Sequence, residues 1–254
     1  MKTNRSGFTL VEMAIVLVIV GFLLSGGGTI LSSQLEMRRV QETNALLSEV
    51  REALIGFAIA NGRLPCPAPA TTATGSVGAG LEEATGIGSA LACTNAKGVG
   101  VVPWATLGVS EVDSWGRRFT YRVTLEFARG ATGQTVFAAG CVPPSNPQNA
   151  AFALCSNGTM NVISTGGGST VALNVPAVVI SHGKNGNGAY TSQGAQLGAG
   201  ADAGELDNQL TTGGANMANL SFVSKTPTAT FDDLVSWISQ NILSNRMVAA
   251  GRLP

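Results

Sequence analysis

The chain has 254 residues, enough for one domain of ordinary size and an appended helix. Only 12% of residues are charged and the formal net charge is zero, which excludes the basic face that nucleic acid demands. The 4 cysteines, Cys66, Cys93, Cys141 and Cys155, contain no C-x-x-C pair, and His182 is the sole histidine, so zinc-ligand spacing is absent. Two disulfides in a body lying outside the cytoplasm fit that count better.

The opening MKTNRSG places Lys2 and Arg5 ahead of residues 8–24, a run in which Glu12 is the sole charge. An ordinary secretory signal would be cut behind the apolar run, where residues 25–28 offer small side chains. Glu12 argues against that reading, because a carboxylate in a bilayer costs roughly 2–3 kcal/mol or more. Residues 8–31, apolar apart from small residues and Glu12, span about 36 Å as a helix. That exceeds the hydrocarbon core of about 30 Å, and the positive leader places the start of the segment in the cytoplasm. Gly26-Gly27-Gly28 predicts bending or melting, at about 1 kcal/mol per glycine relative to Ala.

The string Gly7-Phe8-Thr9-Leu10-Val11-Glu12 resembles the processing site of type IV prepilins and type II secretion pseudopilins. The resemblance implies that a prepilin peptidase cuts after Gly7, that Phe8 becomes the methylated first residue, and that Glu12 serves subunit assembly. It implies a leader at 1–7, a transmembrane and assembly helix at 8–31, its amphipathic continuation at 32–62, and a periplasmic globular domain at 63–254. The implied partners are the peptidase, other pilin or pseudopilin subunits met through the helix, and the bacterial inner membrane. The body would stand in the periplasm and then in a pilus or pseudopilus.

Further along, Val40, Leu47, Val50, Leu54 and Phe57 recur at helical spacing, with charges mainly on other faces. Gly62-Arg63-Leu64-Pro65 stops that helix, and the same four letters close the chain at 251–254. Residues 66–100 read as a Gly/Ala/Thr-rich loop with a short helix at 81–83. Strands are expected at 119–127, 136–139, 160–163 and 177–181. A final amphipathic helix is expected from Thr230 to about Met247, with Asp232 and Asp233 in its first turn. The order gives an α+β fold, a long amino-terminal helix on an antiparallel sheet with a carboxy-terminal helix, which is also the order of the pilin fold. Asp113-Ser114-Trp115-Gly116-Arg117 resembles the D-x-W-G segment that enters the sheet in major pseudopilins, with Trp115 expected as a core anchor.

No catalytic constellation stands out. Ser181 and His182 would face opposite sides of one strand and could not act as a dyad. Asp202, Glu205 and Asp207, with Asn187 and Asn208 nearby, supply hard oxygen ligands on a glycine-rich loop, the kind that calcium takes. Pseudopilins bind calcium in a loop late in the sheet, so the resemblance points the same way. Of three disulfide connectivities, the sequential one, Cys66–Cys93 and Cys141–Cys155, closes the shortest loops. The reading is a non-enzymatic filament subunit, a minor pilin or pseudopilin. A filament-tip adhesin or binding module is the alternative, and an anchored periplasmic enzyme fits less well.

Overall fold

The computed structural model describes residues 7–131, 141, 150–165, 168–209 and 220–253, giving the backbone alone for residues 23–32 and 89. The chain divides into two compact units, Met1–Glu42 and Thr43–Pro254.

One helix, α1 (Leu10–Asn61), enters both. It stays helical through Gly26-Gly27-Gly28, so of the bending or melting that the glycines predicted, the melting does not occur. About 1 kcal/mol per glycine does not interrupt a helix propagated from long segments on either side. Its end is built as expected: Gly62 takes a left-handed φ of 72° and its N–H donates to the Ala58 carbonyl at 2.7 Å. In the first unit the described apolar side chains of residues 8–22 are exposed. Among the described residues no helix is long and apolar enough to cross a membrane.

The second unit takes in the last turns of α1, although the sequence reading began the globular body at residue 63. Leu47, Val50, Leu54, Ile55 and Ala58 are buried there, which makes those turns part of the core. The remaining elements follow in order: β1 (Ala84–Thr85), β2 (Ala92–Cys93), β3 (Val99–Val101), α2 (Trp104–Leu107), β4 (Arg117–Arg118), β5 (Thr120–Val123) and α3 (Leu125–Ala128). Then come β6 (Met160–Ile163), β7 (Thr170–Val175), β8 (Ala177–Ser181), β9 (Tyr190–Thr191), α4 (Ala203–Asn208), β10 (Ser221–Val223), β11 (Leu234–Ile238) and α5 (Gln240–Ala249).

The central sheet is four-stranded and antiparallel, in the order β11-β8-β5-β3. One face carries Tyr121, Val123, Ala177, Val179 and Ile238 against α1 and α5, whose Leu243 and Met247 are buried. The other face carries Val178 and Ile180 against Met160, Val162, Val175 and Phe222 of a second sheet, ordered β10-β6-β7. Alternate residues of β8 thus serve opposite cores, which is why all five are buried. The second sheet is not wholly antiparallel, since β10 runs parallel to β6.

Three expectations need correction. Residues 119–127 do not form one strand: β5 ends at Val123, and α3 turns Phe127 inward to stack on Phe152 with ring centroids 4.5 Å apart. Residues 81–83 are not helical, because Glu82 instead binds Arg63. The expected helix from Thr230 is a strand followed by a shorter helix. Val235 and Ile238 are β-branched and Trp237 is aromatic, and residues 234–238 pair with β8 along their whole length, so helix begins only at Gln240. The strand expected at 136–139 lies outside the described residues.

Candidate functional site

The amino-terminal site is a helix start. Gly7, Phe8 and Thr9 lie outside the helix, which begins at Leu10. The Thr9 N–H and hydroxyl both donate to Glu12 Oε2 at 2.9 Å, and the Glu12 N–H donates back to Thr9 Oγ1 at 3.3 Å. This is a reciprocal capping box: it satisfies two of the amides that a helix leaves unpaired at its start. The sequence carried the signal, Thr-x-x-Glu ahead of an apolar run, but the reading gave Glu12 only an assembly role.

The body is tied by two disulfides. Cys66 pairs with Cys93 and Cys141 with Cys155, each with Cα atoms 5.3 Å apart. Arg63 clamps the same post-helix loop with a two-pronged bond to Glu82 at 2.7 and 2.8 Å, and Glu82 also accepts from the Cys66 N–H at 3.1 Å. In the Asp-x-Trp-Gly turn the buried member is Asp113. Its Oδ1 accepts from the Trp115 and Arg117 amides at 2.9 and 3.0 Å, and its Oδ2 accepts from the Ser181 hydroxyl at 2.6 Å. Trp115, expected as the core anchor, is only partly buried.

The acidic residues regroup. Asp202 caps α4, accepting from the Gly204 and Glu205 amides, and bonds Lys225 Nζ at 3.0 and 3.1 Å. Burial alone would raise its carboxyl, but the Lys225 ammonium and those amides hold it below its ordinary value. Asp207 lies farther along α4 and is not among the converging carboxylates. In their place, Glu205 meets Asp232 and Asp233, one carboxylate oxygen of each lying within 4.8 Å of the others. Two segments supply the acids, α4 and the lead into β11, while the turn after β8 supplies amide donors to them. Sequence reading missed Asp232 and Asp233 because it placed them in the first turn of a helix that is not there.

Glu205 and Asp233 are buried, at 0% and 2% exposure. The Asn185 and Asn187 amides donate to Glu205 at 2.5 and 2.8 Å, and Asn208 donates to Asp233 Oδ2 at 2.9 Å. Asp232 Oδ1 and Asp233 Oδ1 are buried without a hydrogen bond. Burial pushes the Asp232 carboxyl up, and the neighbouring charges of Glu205 and Asp233 add to that push.

Ser181 and His182 turn to different partners. The His182 ring sits 2.8 Å from Thr120 Oγ1 through Nε2, and its Nδ1 lies 3.6 Å from Asp233 Oδ1, beyond hydrogen-bond reach. The alignment Thr120, His182, Asp233 has the order of a catalytic triad, but all three are at most 2% exposed.

Residues 2–28 match the family model described as "Prokaryotic N-terminal methylation motif". Among curated proteins and solved structures, none matches the chain. Residues 2–28 are therefore a prepilin-type methylation segment, the hallmark of type IV pilin-like proteins.

Proposed function

We propose that the chain is a structural subunit, a minor pilin or pseudopilin, of a type IV pilus or type II secretion filament. The observation that carries this reading is the methylation segment leading directly into a helix of exposed apolar side chains. Such a surface calls for lipid before assembly and for neighbouring helices after it. In this reading a prepilin peptidase cuts after Gly7 and Phe8 is methylated. Residues 8–31 then hold the subunit in the inner membrane with the body in the periplasm. Disulfides belong in that compartment.

Intact-mass analysis of protein purified from membranes tests it. A chain beginning at N-methylated Phe8 is expected, and a chain beginning after residues 25–28 would overturn the reading. A second reading, a tip-located binding module, draws support from the β10-β6-β7 sheet, whose β7 exposes Val171 and Leu173. Labelling confined to filament ends would favour it over a shaft position.

The body in this reading also holds a divalent cation of the calcium class, at Glu205, Asp232 and Asp233 and not at Asp202, Glu205 and Asp207. Three converging carboxylates, Glu205 and Asp233 buried and Asp232 half-buried, face neutral amides, and two of them keep an oxygen without a hydrogen bond, which makes a hard-oxygen donor set. A loaded site would raise the melting temperature, since an ion bound only by the folded state stabilises it by about 2.7 kcal/mol at a hundredfold excess over Kd. An identical melt in chelator and in millimolar calcium would remove the cation from the account.

A further inference from the structure

The ring of His182 has no role in the cation reading as stated, yet it is fully buried beside the acidic group. We propose that His182 is the positioning residue of that site, aiming Asp233 at the ion and bracing it against the central sheet through Thr120. This rests on the reading of Glu205, Asp232 and Asp233 as a cation site.

The argument begins with strand register. β11 and β8 pair antiparallel with Leu234 opposite Ser181, so the next positions outward, Asp233 and His182, are cross-strand neighbours. Asp233 is fixed on one side only: Oδ2 accepts from Asn208, while Oδ1 has no donor and faces His182 Nδ1 at 3.6 Å. Both atoms are buried, and neither has a hydrogen-bond partner. A bare ring nitrogen facing a bare carboxylate oxygen would be repulsive, which assigns the ring proton to Nδ1. Nε2 then accepts from the Thr120 hydroxyl at 2.8 Å.

Thr120 lies on β5, in the middle of the central sheet, and pairs with Ile180 of β8. Thr120, His182 and Asp233 thus form a line from rigid sheet to acidic group. The Nδ1–H and Oδ1 stand a few tenths of an ångström short of a bond. Gathering three carboxylates around one ion would draw Asp233 by an amount of that order, and the N–H can then hold the oxygen while a second lone pair serves the metal. Carboxylate ligands fixed by such outer hydrogen bonds bind more tightly, because their orientation is set before the ion arrives.

The test is calcium titration calorimetry on the full chain in detergent, comparing wild type with Thr120→Val and His182→Phe. Thr120→Val leaves the imidazole in place and removes only its brace, at a position outside the acidic group. Both variants should weaken calcium binding about tenfold or more, the range for lost outer-shell partners. Calcium binding within twofold of wild type in Thr120→Val would overturn the positioning role, whatever that variant does to the melt in chelator. Should His182→Phe not fold, Thr120→Val alone decides. Absence of calcium binding by wild type refutes the cation reading itself, a result distinct from wild-type binding that the variants leave unchanged.

Discussion

Arg118 offers the sharpest test of how the body is held. Its side chain is 0% exposed and forms an ion pair with Glu111 at 2.9 Å. It donates to the carbonyls of Ala70, Thr72 and Ser192 at 2.9, 2.8 and 2.9 Å and to Thr74 Oγ1 at 3.2 Å. The guanidinium also lies 4.6 Å from the Trp104 ring centroid. One side chain therefore ties the 70–74 loop, the 111 turn and β9's exit to β4. Arg118→Met keeps most of the volume and removes every donor. Breaking a buried pair from one side costs about 3–5 kcal/mol. Glu111 retains 17% side-chain exposure and recovers some hydration, which points to the low end, about 3 kcal/mol. For a body of this size that lowers the melting temperature by about 6–12 °C. Arg118→Lys keeps the charge but not the planar fork, and recovers less than half of the loss. The assay is thermal unfolding of the full chain in detergent, with limited proteolysis reporting on the 70–74 loop. A drop below about 2 °C for Arg118→Met would refute the reasoning, because it would mean that water replaces those contacts at no cost.

Three further outcomes follow from other parts of the molecule. Replacing both members of Cys66–Cys93 by serine should cost about 3.5 kcal/mol, and both members of Cys141–Cys155 about 3 kcal/mol, by loop-closure entropy; unchanged melts would contradict this, and non-reducing peptide mapping checks the pairing. The Asp202 carboxyl is held below its ordinary value, so its contribution is fully present above about pH 4 and is lost as pH falls through the lowered value. Asp202→Asn should accordingly flatten the acid limb of the stability curve, and an unaltered limb would show that the Lys225 contact carries no weight. Glu12→Val should leave membrane insertion intact while reducing incorporation into filaments, measured as membrane and filament fractions at equal expression; normal incorporation would remove Glu12 from assembly.

What could be read from the sequence was local chemistry. The leader, Gly7–Phe8 and Glu12 sit in one short string, and the helix stop at Gly62 needs only a residue without a Cβ and a proline soon after. Strands at 160–163 and 177–181 were visible as short apolar runs bounded by turn residues. What could not be read depends on distant partners. Residues 234–238 carry the apolar spacing of a helix face as well as of a strand, and only the open edge of β8 decides between them. Asp232 and Asp233 look like helix-capping acids beside Thr230, and their true neighbour, Glu205, is brought to them by the fold. Thr9 and Glu12 stand at the Thr-x-x-Glu spacing of a capping box, so that pair was legible from local chemistry as well.

The low charge content has a structural meaning that composition conceals. Several of the few charged side chains are buried: Arg63, Asp113, Arg118, Arg122, Glu205 and Asp233. A glycine-rich body has many loop carbonyls and few large side chains to shield them, so guanidinium groups take on the task of satisfying them. The repeated Gly-Arg-Leu-Pro shows how the same letters solve two different ends. After α1, Arg63 turns to Glu82 and fixes the loop that leads to Cys66. After α5, Gly251 takes a left-handed φ of 69°, and Arg252 reaches back to α1, donating from Nε to the Ile59 carbonyl at 2.7 Å and from Nη2 to that of Ala60. Those carbonyls belong to the last turn of α1, where a helix has acceptors without amides to fill them. Arg252 thus caps the carboxy-terminal end of α1, and Leu253 beside it is buried in the core.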